Sequence, residues 1–220
     1  MKQLALIVVL FASAQLVIGQ EPSADGMAPA FSPVTWERLV NAADEPENWL
    51  MYSGTLDSQR HSGLDQINNR NASGLELKWA YQIPEIDRAE TVPLVVDGVM
   101  FITEAPSNLM AVDAVTGRPY WRYEHELPED LRICCGRNNR GVAILGETLY
   151  MSTLEAHLVG IDARTGNLMW DREVADYRAG YSKTAAPLIV KDQVITGIAG
   201  GEFGIRGFID SYNAETGAPV

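Results

Sequence analysis

The chain has 220 residues, a formal net charge of −12 and 46% hydrophobic residues. That acidity repels phosphate backbones and argues against a nucleic-acid partner. The apolar content is too high for a disordered acidic tail, so a globular fold is expected.

Residues 1–20, "MKQLALIVVLFASAQLVIGQ", carry one lysine, an apolar run from Leu4 to Val17 and small residues around Gly19. This is the layout of a cleaved secretory signal peptide, and the run is short for a span of about 20 residues. No later stretch could cross a bilayer, so the expectation is a soluble exported protein with no stable membrane insertion. Residues 21–46 are rich in Ala, Pro, Ser and Asp. They read as a mobile lead-in with a short helix around 35–43.

From Trp49 onward, short apolar runs alternate with Gly, Asn and Asp. "TVPLVVDGVMFITEA", "GVAILGETLYMST" and "AAPLIVKDQVITGIAG" each read as strand, tight turn, strand, with turns at Asp97-Gly98, Gly146-Glu147 and Lys191-Asp192. Behind each hairpin comes a repeat: "LMAVDAVTGRPYW" at 109–121, "LVGIDARTGNLMW" at 158–170 and "IDSYNAETGAPV" at 209–220. Thr116-Gly117, Thr165-Gly166 and Thr216-Gly217 lie 49 and 51 residues apart, and a weaker copy, "NASGLELKW", ends at Trp79. A period near 50 residues with about four strands per unit marks β-propeller blades. Trp121 and Trp170 are expected to wedge between neighbouring blades, and Asp113 and Asp162 to serve the repeat and not chemistry. The predicted class is therefore all-β, with residues 47–220 forming about three blades. Propellers close with about four to eight blades. The chain is thus expected to be the N-terminal part of a longer propeller, truncated at its C-terminus.

Both cysteines, Cys134 and Cys135, stand side by side in "RICCGRNNRG" at 132–141. Such a pair can bond to each other, stay free or link two chains. Mutual pairing is sterically hard, because neighbouring Cα atoms sit about 3.8 Å apart and ordinary disulfides prefer about 4.4–6.8 Å. A bond there closes almost no loop, so it points to a site and not to a staple.

"NWLMYSGTLDSQRHSGLDQIN", the tryptophan repeat, "ICCGRNNRG" and "GGEFGIRG" together resemble the methanol/ethanol family of quinoprotein alcohol dehydrogenases, over about residues 47–220. The resemblance implies a periplasmic, eight-bladed propeller that holds pyrroloquinoline quinone (PQQ) and a metal ion, Ca²⁺ or a lanthanide. It implies oxidation of a small primary alcohol to an aldehyde, with a cytochrome c as electron acceptor, and it allows a homodimer of the complete protein. By position, Cys134 and Cys135 match the family's vicinal disulfide, which lies against one face of the quinone. Arg140 matches an arginine that reaches the quinone oxygens, with Arg137 as the alternative. Thr184, in "GYSKTAAP", and Glu90, in "RAETVPLVV", match residues that hydrogen-bond the cofactor. Gly200 and Gly201 let the backbone pass close to a planar ligand, and Glu202 matches a metal-ligating glutamate that offers hard oxygen to the ion. Ala199 stands where the family often has a serine, and Arg206 reads as a structural ion-pair partner. The family's catalytic aspartate and remaining metal ligand lie downstream. No catalytic residue is therefore expected in this chain, and residues 21–220 alone are expected to be inactive. Two other readings compete. A non-catalytic propeller scaffold of the outer-membrane assembly type has no reason to carry Cys134-Cys135 beside Arg140 and Glu202. A quinoprotein acting on sugars or polyols generally lacks the adjacent cysteines.

Overall fold

Apolar alternation and two-residue turns produce three antiparallel sheets, one after another along the chain. The computed structural model describes residues 26–84 and 89–220. The expected signal peptide at 1–20 lies outside them. The first sheet holds β1 (Leu94–Val96), β2 (Val99–Glu104), β3 (Asn108–Asp113) and β4 (Pro119–Tyr123). The second holds β5 (Val142–Leu145), β6 (Thr148–Ser152), β7 (His157–Asp162) and β8 (Leu168–Glu173). The third holds β9 (Leu188–Val190), β10 (Gln193–Gly197) and β11 (Ile209–Asn213). In every sheet, neighbours in sequence are neighbours in space. These are β-propeller blades. The predicted turns join β1 to β2, β5 to β6 and β9 to β10. Asp97 and Gly98 take φ of 48° and 85°, the left-handed pair that a tight hairpin of this hand requires.

The Thr-Gly repeat builds one local device three times. The Asp113 carboxylate accepts from the Val115 and Thr116 amides at 2.9 and 2.8 Å. Asp162 does the same for Arg164 and Thr165 at 3.0 and 2.8 Å. Asn213 repeats it for Glu215 and Thr216 at 3.1 and 3.0 Å. These side chains are used up in closing turns, as the sequence suggested.

Each turn then receives a tryptophan from one repeat earlier in the chain. Trp79 packs on Gly117 and donates Nε1–H to the Ala114 carbonyl at 3.1 Å. Trp121 packs on Gly166 and donates to the Ala163 carbonyl, also at 3.1 Å. Trp170 packs on Gly217, but its buried Nε1 finds no acceptor among the described residues. An added Cβ at Gly166 would stand 2.6 Å from the Trp121 ring, so only glycine admits this contact. Phe101, Leu109, Ile144, Met151 and Leu158 fill the core between the wedges.

The lead-in differs from its sequence reading. Over 26–46 it packs as a strap under the first two blades. Ala28, Phe31, Val34, Leu39 and Ala42 are buried. Val34 bridges Gly146 through two backbone bonds of 2.7 and 3.0 Å, and the Ala28 amide donates to the Arg164 carbonyl at 2.7 Å. Thr35 caps the short helix α1 (Trp36–Val40) by accepting from the Arg38 amide at 3.3 Å. Arg38 then clamps Glu45 at 2.6 Å and reaches Asp97 in the first hairpin turn at 3.4 Å. A composition of Ala, Pro, Ser and Asp resembles a linker, but these contacts are tertiary and leave no periodic signal.

Candidate functional site

The three inner strands β1, β5 and β9 are each preceded by an extended segment on the same end of the blades. These segments are stitched together side by side. The Val92 amide donates to the Arg140 carbonyl at 3.0 Å, and the Arg140 amide donates to the Thr184 carbonyl at 3.0 Å. The stitching brings three of the predicted residues into one cluster. The Arg140 guanidinium donates to Thr184 Oγ1 at 2.5 Å and pairs with Glu90 Oε2 at 2.7 Å. Arg140 and Glu90 remain 37% and 33% exposed, so charge and donors stay available to a ligand. Arg137 lies on the exposed surface.

Asn138 belongs to the cluster and was missed from the sequence. It is buried and donates to Glu90 Oε2 at 2.6 Å, orienting that carboxylate for Arg140. Its only sequence signal was its place within "RNNRG", where an asparagine reads as a turn residue.

The second group forms on the loop that carries Arg140 and on the β10–β11 connection. Cys134 and Cys135 are joined in a disulfide with Cα atoms 3.8 Å apart. Their sulfurs and a Glu202 carboxylate oxygen all lie within 4.8 Å of one another. Glu202 sits in a short turn, Gly201–Phe203, bounded by Gly200 at φ 119° and Gly204 at φ 78°. Gly200 is obligatory, because an added Cβ would run into the Gly180 carbonyl. At Gly201 an added Cβ would meet nothing, so that side of the turn is open. Ala199 bridges Ser182 through backbone bonds of 2.7 and 3.0 Å, which anchors this loop to the segment bearing Thr184. Arg206 departs from expectation. It is exposed and makes no ion pair among the described residues, because its loop projects into solvent.

Two buried polar groups have no place in the predicted set. His125 Nε2 pairs with Glu155 Oε1 at 2.6 Å, and Thr153 donates to the same oxygen at 2.7 Å. Burial works to raise the Glu155 carboxyl, but His125 and Thr153 outweigh it and hold the group below the usual range. Lys183 is 2% exposed, and its Nζ has no hydrogen-bond partner among the described residues. Burial pushes its amine down to about 7, against the opposing pull of the Asp210 charge. The folded chain therefore resists a proton that the unfolded chain accepts. Stability should be lowest and flat below about pH 7, then rise towards the ordinary lysine value of 10.5. One pKa unit is about 1.4 kcal/mol, so the cost is on the order of a few kcal/mol. Lys183→Met should be more stable than the parent at pH 6 and lose the rise. Urea unfolding at pH 6 and 9.5 checks this, and parallel pH profiles for the two proteins would refute it.

The donor set fits a flat, anionic, oxygen-rich ligand with an associated cation. Arg140 and Thr184 offer donors, the disulfide offers a small rigid platform, the Gly200–Gly201 backbone approaches without side chains, and Glu202 offers a hard carboxylate. The comparisons agree in kind. The family model described as "PQQ: Glucose/ethanol/alcohol dehydrogenase, beta-propeller domain" matches residues 49–220. The quinoprotein alcohol dehydrogenase PedH of Pseudomonas putida is 41% identical over 190 residues, covering 86% of this chain and 32% of that protein. The 1-butanol dehydrogenase (quinone) of Thauera butanivorans is 34% identical over 218 residues, covering 96% of this chain and 35% of that protein. Among solved structures, the quinohemoprotein alcohol dehydrogenase ADHIIG of Pseudomonas putida superposes with a TM-score of 0.82 at 38% identity, over 87% of this chain and 28% of that one. A europium-containing methanol dehydrogenase superposes with a TM-score of 0.79 at 34% identity, over 84% of this chain and 33% of that one. The chain thus spans about a third of the length of these relatives.

Proposed function

The chain belongs to the PQQ-dependent glucose, ethanol and alcohol dehydrogenase family with its β-propeller domain, and from that premise we propose that the complete protein oxidises a small primary alcohol to an aldehyde in the periplasm and passes the electrons to a cytochrome c. When bound, PQQ supplies an ortho-quinone that accepts a hydride equivalent from the alcohol. The residues of this chain hold and polarise it. Arg140, braced by Glu90 and Thr184, offers N–H donors and positive charge to an oxygen that gains charge on reduction. Thr184 and the Gly200–Gly201 amides offer donors to carboxylates. The Cys134–Cys135 disulfide offers a polarizable platform. Glu202 offers anionic oxygen to Ca²⁺ or a lanthanide, both of them hard cations, and a europium-containing relative supports the second. No residue of this chain is assigned the proton-abstracting role.

The observation that carries this reading is the Arg140 guanidinium, held at once by Glu90 and Thr184 on the end of the blades that also bears the disulfide. Arg140→Lys keeps the charge but loses the planar fork. A hydrogen bond to a charged group is worth about 1.5–3 kcal/mol. Titrating PQQ into the cofactor-free complete protein should therefore show roughly ten- to a hundredfold weaker binding for the variant. Unchanged binding would remove Arg140 from the cofactor site.

A further inference from the structure

Cys134 Sγ, Cys135 Sγ and a Glu202 carboxylate oxygen lie within 4.8 Å of one another, and among the described residues no other three of His, Cys, Asp and Glu converge so closely. The donors come from two separate loops. Glu202 is held opposite the sulfurs by its glycine-bounded turn. Cys135 and Glu202 are exposed and Cys134 is half-buried, so solvent ions reach all three. Glu202 makes no hydrogen bond or ion pair among the described residues that would hold it away from a cation.

In the disulfide the two sulfurs are neutral and poor ligands. We propose that reduction of Cys134–Cys135 turns this group into a binding site for a thiophilic divalent cation, held by two thiolates and the Glu202 carboxylate. The covalent step is a thiol–disulfide exchange. A dithiol reductant supplies two electrons and two protons, the Cys134–Cys135 bond breaks, two thiols form, and the reductant ends as its own disulfide. The cation then takes the place of the two thiol protons, which pass to solvent, and two metal–sulfur bonds form. Breaking the bond frees the sulfurs to move apart towards the spacing of a tetrahedral site. Thiolates select ions of the zinc and cadmium class, and a carboxylate is an accepted further ligand for them. Three protein ligands leave a fourth position to water. Hard cations such as Ca²⁺ gain little from sulfur. The redox state of one cysteine pair therefore decides which kind of cation Glu202 serves. This reading shares Glu202 with the proposed dehydrogenase site but does not depend on the cofactor.

The test uses the cofactor-free complete protein, reduced with dithiothreitol, freed of reductant without oxygen, and titrated with Cd²⁺. Sulfur-to-cadmium charge-transfer absorption and bound cadmium are read, and thiols are counted before each titration. The reduced protein should bind one Cd²⁺ with the charge-transfer band, and the oxidised protein should show no band. Reduced Glu202→Gln should bind at least tenfold more weakly with both thiols intact, and Cys135→Ser should lose the site. Equal affinity for Glu202→Gln and the parent would overturn the proposal. So would a reduced protein with two thiols that takes no Cd²⁺, or a disulfide that the reductant cannot open in the folded state. A fifth arm preloads PQQ. If cadmium enters regardless, the metal site stands and the placement of the cofactor on the disulfide falls.

Discussion

Glu202→Gln in the complete protein, supplied with PQQ and metal, is expected to lose about two to four orders of magnitude in alcohol oxidation and almost nothing in folding stability. The two halves of that expectation have different causes. Glu202 is exposed on a short turn, and the turn is shaped by Gly200 and Gly204 and not by the glutamate side chain. Surface changes of this kind usually move stability by less than about 0.5 kcal/mol. The amide keeps the size of the side chain but gives up the negative charge that a hard cation requires. Lewis-acid stabilisation is worth several kcal/mol, and about 1.4 kcal/mol is a factor of ten in rate. Bound metal, thermal midpoint and dye-linked alcohol oxidation should be measured together for both proteins. Full metal occupancy with full activity in the variant would make Glu202 a loop residue and leave the metal reading without its anchor.

Trp121→Ala should cost about 3–5 kcal/mol, the largest stability loss expected of a single substitution here. The ring is 5% exposed and lies between its own strand and the Gly166 turn of the second blade. It packs against Phe101 with ring centroids 6.1 Å apart. Removing it opens a cavity between blades and strips the Ala163 carbonyl of its donor. Gly166→Ala approaches the same contact from the other side, with a Cβ 2.6 Å from the ring at φ 73°. Gly98→Ala supplies the control, since φ is 85° there and no atom lies within 4 Å of the added Cβ. Backbone strain alone should cost about 1–2 kcal/mol. The excess for Gly166 over Gly98 in urea unfolding isolates the wedge. If both Trp121→Ala and Gly166→Ala cost no more than Gly98→Ala, the tryptophan does not hold the blades together.

The blades were legible because their signals are local. A two-residue turn, an Asx side chain closing on the next amides, and a tryptophan recurring with the repeat are written within a dozen residues each. The strap at 26–46 was illegible for the opposite reason. Phe31 and Val34 meet partners far along the chain, Phe101 and Gly146. The site divides in the same way. "ICCGRNNRG" announced a site, and the structure gathers Glu90, Arg140 and Thr184 into one cluster and Cys134, Cys135 and Glu202 into another. Glu90 lies in a charged loop that reads as solvated, and its pairing with Arg140 depends on the stitching of two blades. Lys183, between two hydroxyl residues, likewise reads as surface. Its burial is a property of the assembled blades and not of its neighbours in sequence. Arg206 was expected to be a structural ion-pair partner, but among the described residues it forms no ion pair.

The strap also sets an order of events during synthesis. Phe31, Val34 and Leu39 leave the ribosome before any strand they will cover, and Gly146 and Arg164, which fix Val34 and Ala28, follow only after the first blade is complete. Until then only its first-blade partners, Phe101 and Asp97, are there to hold it. Once docked, it records whether the second blade is sound. A lesion in β5–β8 should release it first, so protease cutting within 26–46 serves as an early and sensitive readout of damage far from the cut.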